Sequence, residues 1–60
     1  MTYAEFKKVK VGGECVIIST GEPGTVIAVN HETDDIRLAA KRVGMGMTKE
    51  WYNYTLLGKL

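Results

Sequence analysis

Short apolar segments separated by glycine-rich or polar connectors run along the whole chain. The first two, Cys15–Ile18 and Thr25–Val29, are rich in β-branched residues, and the connector between them reads T-G-E-P-G. Because Val and Ile favour an extended backbone while Gly and Pro interrupt it, this composition predicts a strand–turn–strand unit. We expect strands over Glu14–Ser19 and Thr25–Asn30, joined by a loop at residues 20–24.

Two further segments in the second half of the chain alternate between apolar and polar residues. The alternation is regular over Ile36–Arg42 and predicts a strand with one side toward the core. That side holds Ile36, Leu38 and Ala40, and the opposite side holds Arg37, Ala39 and Lys41. A fourth strand is predicted over Lys49–Tyr54. The polar residues 31–35 predict a hairpin loop, and the glycine-rich residues 43–48 predict a mobile connector.

The two ends of the chain carry signals for short helical turns. Thr2 and Glu5 have the spacing of a capping box, in which each side chain accepts a hydrogen bond from a backbone amide. Because a helix this short is unstable alone, two alternatives stay open, one helical turn or an extended N-terminal arm. Near the other end, Thr55–Leu57 favours a short helical turn that ends at Gly58.

Four short strands joined by short turns cannot hide their apolar residues in a flat open sheet. Curling the sheet so that one side of each strand points inward solves this problem. The chain has no repeat, low-complexity tract or linker, so residues 1–60 are expected to form one domain. The predicted fold is all-β, a small partly open barrel of four to five strands with a short N-terminal helical turn or arm.

The first strand–turn–strand unit resembles a known family of small barrels. It reads V-G-G-E-C-V-I-I from residue 11, continues through Gly21, and reads G-T-V-I-A-V from Gly24. This order of glycine, acidic residue, strand, Gly-x-x-Gly and second strand is similar to the SH3-like barrels, and among them to KOW-type domains of ribosomal and transcription-elongation proteins. The resemblance implies an SH3-like fold, a close turn at Gly24, and a helical turn at residues 56–57 before a last strand.

Two departures limit what the resemblance implies for binding. KOW segments usually carry a basic residue near the turn glycine, where this chain has Glu22 and Pro23. SH3 domains that bind peptides combine an acidic loop with an aromatic cluster, and the surroundings of Trp51, Tyr52 and Tyr54 do not match that motif. The resemblance therefore implies the fold and transfers no binding residue.

The composition is that of an ordinary globular domain, with 45% hydrophobic and 25% charged residues. The formal net charge is +1 at pH 7, whereas nucleic-acid-binding domains are usually strongly basic. Any nucleic-acid binding must therefore depend on where the eight Lys and Arg residues lie. The N-terminus has no signal-peptide character and no segment approaches the length of a membrane span, so we expect a cytoplasmic protein that does not contact membranes.

The residue types that usually carry catalysis are sparse. Cys15 is the only cysteine, so neither an internal disulfide nor a cysteine zinc cluster can form, and its apolar neighbours predict a buried side chain. His31 is the only histidine and has Glu32, Asp34 and Asp35 beside it. Because these ligands would all come from one flexible loop, a solvated hairpin tip is favoured over a metal site. We expect no enzyme activity, no cofactor and no metal.

Basic residues and one aromatic residue are predicted to share the solvent side of two strands. Arg37 and Lys41 lie on the same side of the third strand, and Arg42 follows directly. If Lys49 and Trp51 lie on the outer side of the next strand, these five residues form a candidate site for RNA or DNA, with phosphates on the cations and a base on the ring. The alternative is a solvated face with Trp51 in the core. The N-terminal arm would extend the site with Lys7, Lys8 and Lys10.

Met45 and Met47 lie among the glycines of the predicted connector. They either fold back to close the end of the barrel or form an adaptable apolar contact for a protein partner, because Met side chains repack against irregular surfaces. The sequence thus predicts a non-catalytic, nucleic-acid-associated binding module. The alternative function is a small protein-interaction or regulatory adaptor domain, which binds a larger protein or self-associates as a homo-oligomer.

Overall fold

A five-stranded antiparallel sheet forms the body of the protein in the computed structural model, which describes residues 1–60. The strands hold 52% of the residues, and this proportion confirms the predicted all-β fold class. Neither helical segment has the length or the apolar character that crossing a membrane would require. In chain order the elements are α1 (Tyr3–Phe6), β1 (Glu14–Ile17), β2 (Pro23–Asn30), β3 (Asp35–Arg42), β4 (Gly46–Asn53), a 3₁₀ turn (Tyr54–Leu56) and β5 (Leu57–Lys59).

The strands lie side by side in the order β4-β3-β2-β1-β5, and every neighbouring pair is antiparallel. Strands β1 to β4 follow one another along the chain, whereas β5 returns to pair with β1. The sheet curls around one core without closing, so β4 and β5 form its two edges. This arrangement confirms the predicted partly open fold.

The N-terminal segment is a single helical turn rather than an extended arm. The Thr2 amide donates to Oε1 of Glu5 at 2.8 Å, and the Glu5 amide donates to Oγ1 of Thr2 at 3.2 Å, which completes the predicted capping box. The first of these bonds is the main cause that holds the pKa of Glu5 below its usual range. Phe6 is fully buried and stacks on Tyr54 with ring centroids 5.1 Å apart. Tertiary packing thus stabilises a helix too short to form alone.

One core lies between the inner face of the sheet and α1. Strand β3 contributes every second residue to it, as the alternation of its sequence predicts. The buried hydrophobic side chains are Phe6, Cys15, Ile17, Val26, Ile36, Leu38, Ala40 and Leu57. Because these side chains come from α1 and from β1, β2, β3 and β5, the core ties four strands and the helix into one body.

Gly24 is part of the sheet rather than of the preceding loop. Strand β2 begins at Pro23, so the predicted start at Thr25 and the predicted turn at Gly24 are wrong. The reason is packing, because a Cβ atom at position 24 would lie only 2.6 Å from Cγ of Leu38. Glycine allows β2 and Leu38 of β3 to approach each other this closely.

A bulge in β2 changes which of its residues face the core. Val26 pairs with Leu38 and Val29 pairs with Ile36, so the inward positions are three residues apart on β2 and two apart on β3. Ile27 is the additional residue. A bulge of this kind bends a strand and increases its twist, which helps an open sheet to curl.

Strand β4 begins at Gly46, three residues before the predicted start at Lys49. Gly46 pairs directly with Arg42, and Gly44 and Gly46 have positive φ angles of 79° and 72°. These glycines allow a tight turn at residues 43–45, so the second half of the predicted connector 43–48 is strand. The β3–β4 hairpin is therefore longer than the sequence predicts.

Candidate functional site

The side of the sheet that faces away from the core, called the outer face below, carries basic residues of β3. Arg37 and Lys41 are exposed there, and the intervening positions Ile36 and Leu38 are buried on the other side. Directly opposed residues on antiparallel strands point to the same face of a sheet. The register between β3 and β4 therefore decides which residues join Arg37 and Lys41.

Trp51 and Lys49 of β4 lie on the outer face beside these two cations. Trp51 is the partner of Arg37, and Lys49 is the partner of Ala39, which separates Arg37 from Lys41. The alternative that placed Trp51 in the core is wrong, because this side chain is 49% exposed. We call the four residues Arg37, Lys41, Lys49 and Trp51 the basic–aromatic patch.

Small side chains leave a shallow hollow of about 280 Å³ in the outer face next to the patch. Ala39 is opposed by Thr25 of β2, and Arg37 is opposed by Ala28 after the bulge. Because none of these neighbours is large, the ring of Trp51 and the cations beside it are open to a planar group that approaches from solvent. Glu14 of β1, opposite Thr25, is the nearest carboxylate on the far side.

The three cations of the patch are staggered along the strand direction. Lys49 lies in the row of Ala39, between the row of Arg37 and the row of Lys41. Successive positions on one face of an antiparallel strand are about 7 Å apart. A cation therefore occurs in each of three consecutive rows, a spacing that allows an extended polyanion to meet one cation after another.

No cation of the patch is neutralised by an ion pair. Both ion pairs of the protein are formed by Arg42, with Glu22 at 3.1 Å and with Glu50 at 3.9 Å. Asp35 lies on the outer face one row beyond Arg37, and it forms no ion pair with that residue. Asp35 marks the end of the positive surface.

Arg42 lies on the opposite side of β3 from the patch. Its number is even, like those of the inward residues Leu38 and Ala40, so it lies on the same side of the strand. Its Nε donates to Oε1 of Glu22. This hydrogen bond is the main cause that raises the pKa of Arg42. Because its guanidinium is held by Glu22, Arg42 is not available on the outer face, and we leave it out of the patch. The even–odd alternation of β3 already contained the signal for this placement.

Glu22 is a structural residue that the sequence does not single out for this role. Its Oε2 accepts a hydrogen bond from the Val43 amide at 2.9 Å, in addition to the bond from Arg42. The Val43 amide is the largest cause that holds the pKa of Glu22 below its usual range, followed by the Thr20 hydroxyl and Arg42. Glu22 and Arg42 are 20 residues apart, so no local pattern predicts their contact.

The two methionines stay in solvent at the beginning of β4. Met45 is 60% exposed in the turn and Met47 is 63% exposed opposite Lys41 on the outer face. The alternative in which they fold back to close the barrel is therefore wrong. Val43, which precedes them, is 93% exposed. These three side chains form an apolar surface next to the patch.

Cys15 and His31 occupy the environments that their neighbours in the sequence predict. Cys15 is buried in the core, and burial raises the pKa of its thiol. His31 is exposed in the β2–β3 turn, with its ring centroid 5.2 Å from that of Phe6. No group of three or more His, Cys, Asp and Glu side chains comes together in a way that could hold a metal ion.

The predicted N-terminal extension of the patch lies elsewhere. Lys8 and Lys10 line a groove together with Cys15 and Val26, which point inward from the sheet. These two lysines therefore lie at the groove beside α1 and not in the rows of the patch.

Comparisons of this chain with models of protein families, with curated proteins and with solved structures find no match. The basis for a functional proposal is therefore the patch itself, that is, the residues that share the outer face and the physical chemistry of their side chains.

Proposed function

We propose that the protein is a non-catalytic binding module that associates with single-stranded RNA or DNA through the basic–aromatic patch. The observation that carries the proposal is the position of the exposed Trp51 directly opposite Arg37, with Lys49 and Lys41 in the next two rows. Cations that bind phosphates and a ring that stacks on a base are the two elements of single-strand binding surfaces.

The form of the patch favours a single strand over a duplex. Trp51 has an exposed ring, and an unpaired base can stack on it, whereas the bases of a duplex already stack on one another. Stacking of this kind contributes about 1–3 kcal/mol per base. The regular rows of Arg37, Lys49 and Lys41 suit an extended backbone that carries one phosphate per nucleotide.

The connectivity of the sheet gives further support. The resemblance to SH3-like barrels implies a helical turn before the last strand, and a 3₁₀ turn at Tyr54–Leu56 directly precedes β5. KOW-type domains within that group occur in ribosomal and transcription-elongation proteins, which work on RNA and DNA. We also propose a cytoplasmic location, because a free buried cysteine suits a reducing compartment.

Fluorescence anisotropy with a labelled oligouridylate or oligothymidylate at low salt tests the proposal. We expect the double variant Arg37→Glu/Lys41→Glu to weaken binding about tenfold or more, because two favourable phosphate contacts become repulsive. The matched control Lys8→Glu/Lys59→Glu has the same net charge but changes lysines that line the groove on the core side. Equal affinity of the patch variant and the unmodified protein would refute the proposal, as would equal loss in both variants.

Single substitutions at the patch separate stacking from charge. Trp51→Ala should weaken binding by about 1–3 kcal/mol and Trp51→Phe should restore part of the loss, because phenylalanine keeps a ring. Asp35→Asn should strengthen binding, because it removes the carboxylate that borders Arg37 on the outer face. If Trp51→Ala did not change the affinity, binding would depend on charge without stacking. This result would contradict the proposal that the patch binds single strands.

A protein-interaction module is the second candidate, and one observation favours it. Val43, Met45 and Met47 are three exposed apolar side chains within five residues of one another at the β3–β4 turn. Exposed Met side chains suit contacts that must adapt to a partner. If the partner is a second copy, sedimentation velocity will show a dimer that Met45→Ser/Met47→Ser dissociates. A monomer at all concentrations would exclude the self-associating form.

A further inference from the structure

A groove of about 380 Å³ opens between the N-terminal segment and the inner face of the sheet. Cys15 of β1 and Val26 of β2 lie at its base, and Val9 forms part of its wall. This volume lies near the lower end of the range of about 300–1,000 Å³ that is typical of small-molecule sites. The mouth of a β-barrel is one of the places where such sites occur. The proposed function makes no use of this groove.

The entrance of the groove is charged, and its cations are unpaired. Lys8, Lys10 and Lys59 line it, and none of them forms an ion pair. Two carboxylates also line it, and one of these, Glu5, is already engaged by the capping box of α1. The other is Glu14. With three lysines against two carboxylates, the entrance has an excess of positive charge above an apolar base.

We propose that this groove binds a small amphipathic anion, a molecule with an apolar body of about one or two rings and a single acidic group. The apolar body would pack against Val9 and over Cys15 and Val26, and the acidic group would meet Lys8 and Lys59 at the entrance. Aromatic carboxylates and sulfonates have this combination of features. A neutral hydrophobic molecule would leave the lysines unused, and a polynucleotide is too large to enter.

The base of the groove and the basic–aromatic patch lie on opposite sides of the sheet, and of the groove's lining only Glu14 belongs to an outward position of a strand. Lys59 is the β5 partner of Cys15, whose side chain points into the core, so both belong to the inner side. Arg37 and Lys41 belong to the outer face. A ligand in the groove is therefore not expected to compete with nucleic acid, and the two proposals can fail independently.

Two dyes with the same ring skeleton test the proposal on the full chain. 8-Anilinonaphthalene-1-sulfonate carries one acidic group, and N-phenyl-1-naphthylamine is its neutral counterpart. We expect the sulfonate to bind at least tenfold more tightly, measured by dye fluorescence, because only it can use the lysines. Equal affinity for the two dyes would overturn the inference.

Charge-reversed variants then locate the bound dye. Lys8→Glu/Lys59→Glu should weaken binding of the sulfonate about tenfold at low salt and leave the neutral dye unchanged. Arg37→Glu/Lys41→Glu, which alters net charge by the same amount on the outer face, should leave both dyes unchanged. A loss of sulfonate binding in the outer-face variant alone would place the dye on the patch and refute the groove.

The single cysteine gives a second measurement, with a readout other than dye fluorescence. Because Cys15 is only 2% exposed at the base of the groove, its alkylation by iodoacetamide requires an opening of this side of the fold, and bound sulfonate should slow it several-fold at saturation. The control is the same protection experiment in Lys8→Glu/Lys59→Glu, where protection should disappear at the same dye concentration. An alkylation rate that saturating dye does not change would contradict a ligand above Cys15.

Discussion

Glu22, in the loop before β2, and Arg42, at the end of β3, meet at the β3–β4 turn. The carboxylate of Glu22 bonds both the Arg42 side chain and the Val43 amide, so one residue holds the end of β3 and the beginning of the turn. Arg42 itself lies on the inner side of β3, because it occupies an even position of that strand. Glu22 therefore anchors the turn that joins the two strands of the patch without being part of the patch.

The protonation of Glu22 should appear in the pH dependence of stability. Its pKa is lower in the folded protein than in the unfolded chain, so its ionised form stabilises the fold. That contribution is complete above about pH 4.5 and is lost as the pH falls through the folded pKa. We expect Glu22→Gln to be less stable than the unmodified protein at pH 7, with a difference that shrinks toward about pH 3.

Urea unfolding followed at several pH values measures this difference. The control is Glu32→Gln, since Glu32 is exposed in the β2–β3 turn and its side chain makes no hydrogen bond. That variant should track the unmodified protein. Stability curves of Glu22→Gln and the unmodified protein that stay parallel from neutral to acidic pH would disprove a role for the ionised carboxylate.

Gly24 is required by the close approach of β2 to Leu38. A methyl group there would lie 2.6 Å from Cγ of Leu38 and 3.0 Å from the carbonyl oxygen of Ala39, and both are held in the sheet. We expect Gly24→Ala to lower the free energy of unfolding by about 1–3 kcal/mol, as overpacked core variants do. Urea midpoints check this, with the neighbouring exposed Thr25→Ala as control. A Gly24→Ala midpoint equal to that of the control would show that β2 can move away from Leu38.

At the scale of elements, β4 is the long open edge of the sheet. It is eight residues long, pairs only with β3 and carries Met47 and Trp51 on its exposed side. Open edges of this length pair readily with strands of other molecules unless charged side chains oppose the pairing. Lys49, at the middle of β4, is the cation that opposes the pairing of another strand with this edge. Its position therefore protects the edge as well as contributing to the patch.

Replacing Lys49 should expose this edge. We expect Lys49→Val to self-associate at concentrations where the unmodified protein does not, because the outer side of the edge strand then carries no charge. The control is Lys41→Val, which makes the same change on the same face of β3, a strand paired on both sides. Sedimentation velocity over a concentration series distinguishes them, and matching behaviour of the two variants would contradict the role of the edge.

The elements that the sequence predicts well are those with local causes. The alternation in β3 places Ile36 inward and Arg37 outward, and the capping box marks the start of α1. The start of β4 has no such cause, since Gly46 locally favours a loop and becomes strand by pairing with Arg42. Local alternation is reliable wherever one face of a strand is buried, and β4 lacks that constraint.

The candidate site, like the start of β4, depends on contacts between elements that no local sequence pattern predicts. The register between β3 and β4 places Trp51 opposite Arg37, and register depends on turn geometry that glycines 44 and 46 set together. The groove beside Cys15 was not predicted, because it depends on how α1 packs on the sheet. Sequence patterns describe each element separately, whereas a groove exists only between elements.

At the scale of the whole molecule, charge is distributed unevenly around a nearly neutral total. The net charge is +1, yet the patch presents three unpaired cations on one face. Three carboxylates lie together near the β2–β3 turn, Glu32 and Asp34 in the turn and Asp35 at the start of β3. Long-range attraction of a polyanion is therefore weak, and the binding proposed here depends on the few contacts available within the patch.

This distribution predicts a shallow dependence of nucleic-acid affinity on salt. Three phosphate contacts with a single strand give a slope of about −2 for the logarithm of the association constant against the logarithm of salt concentration. Anisotropy titrations over a salt series measure it. Arg37→Glu/Lys41→Glu should bring the slope close to zero, and Lys8→Glu/Lys59→Glu should leave it unchanged. A much steeper slope would mean that more cations than those of the patch contact the strand.

The bulge in β2 affects which amino-acid substitutions the strand tolerates. Before the bulge the inward positions of the strand are even, Gly24 and Val26, and after it the inward position is odd, Val29. Ile27 is the inserted residue between the two parts. A saturation mutagenesis profile of the strand will show this phase shift, and relatives that have lost one residue at the bulge will keep the core by returning to a single phase.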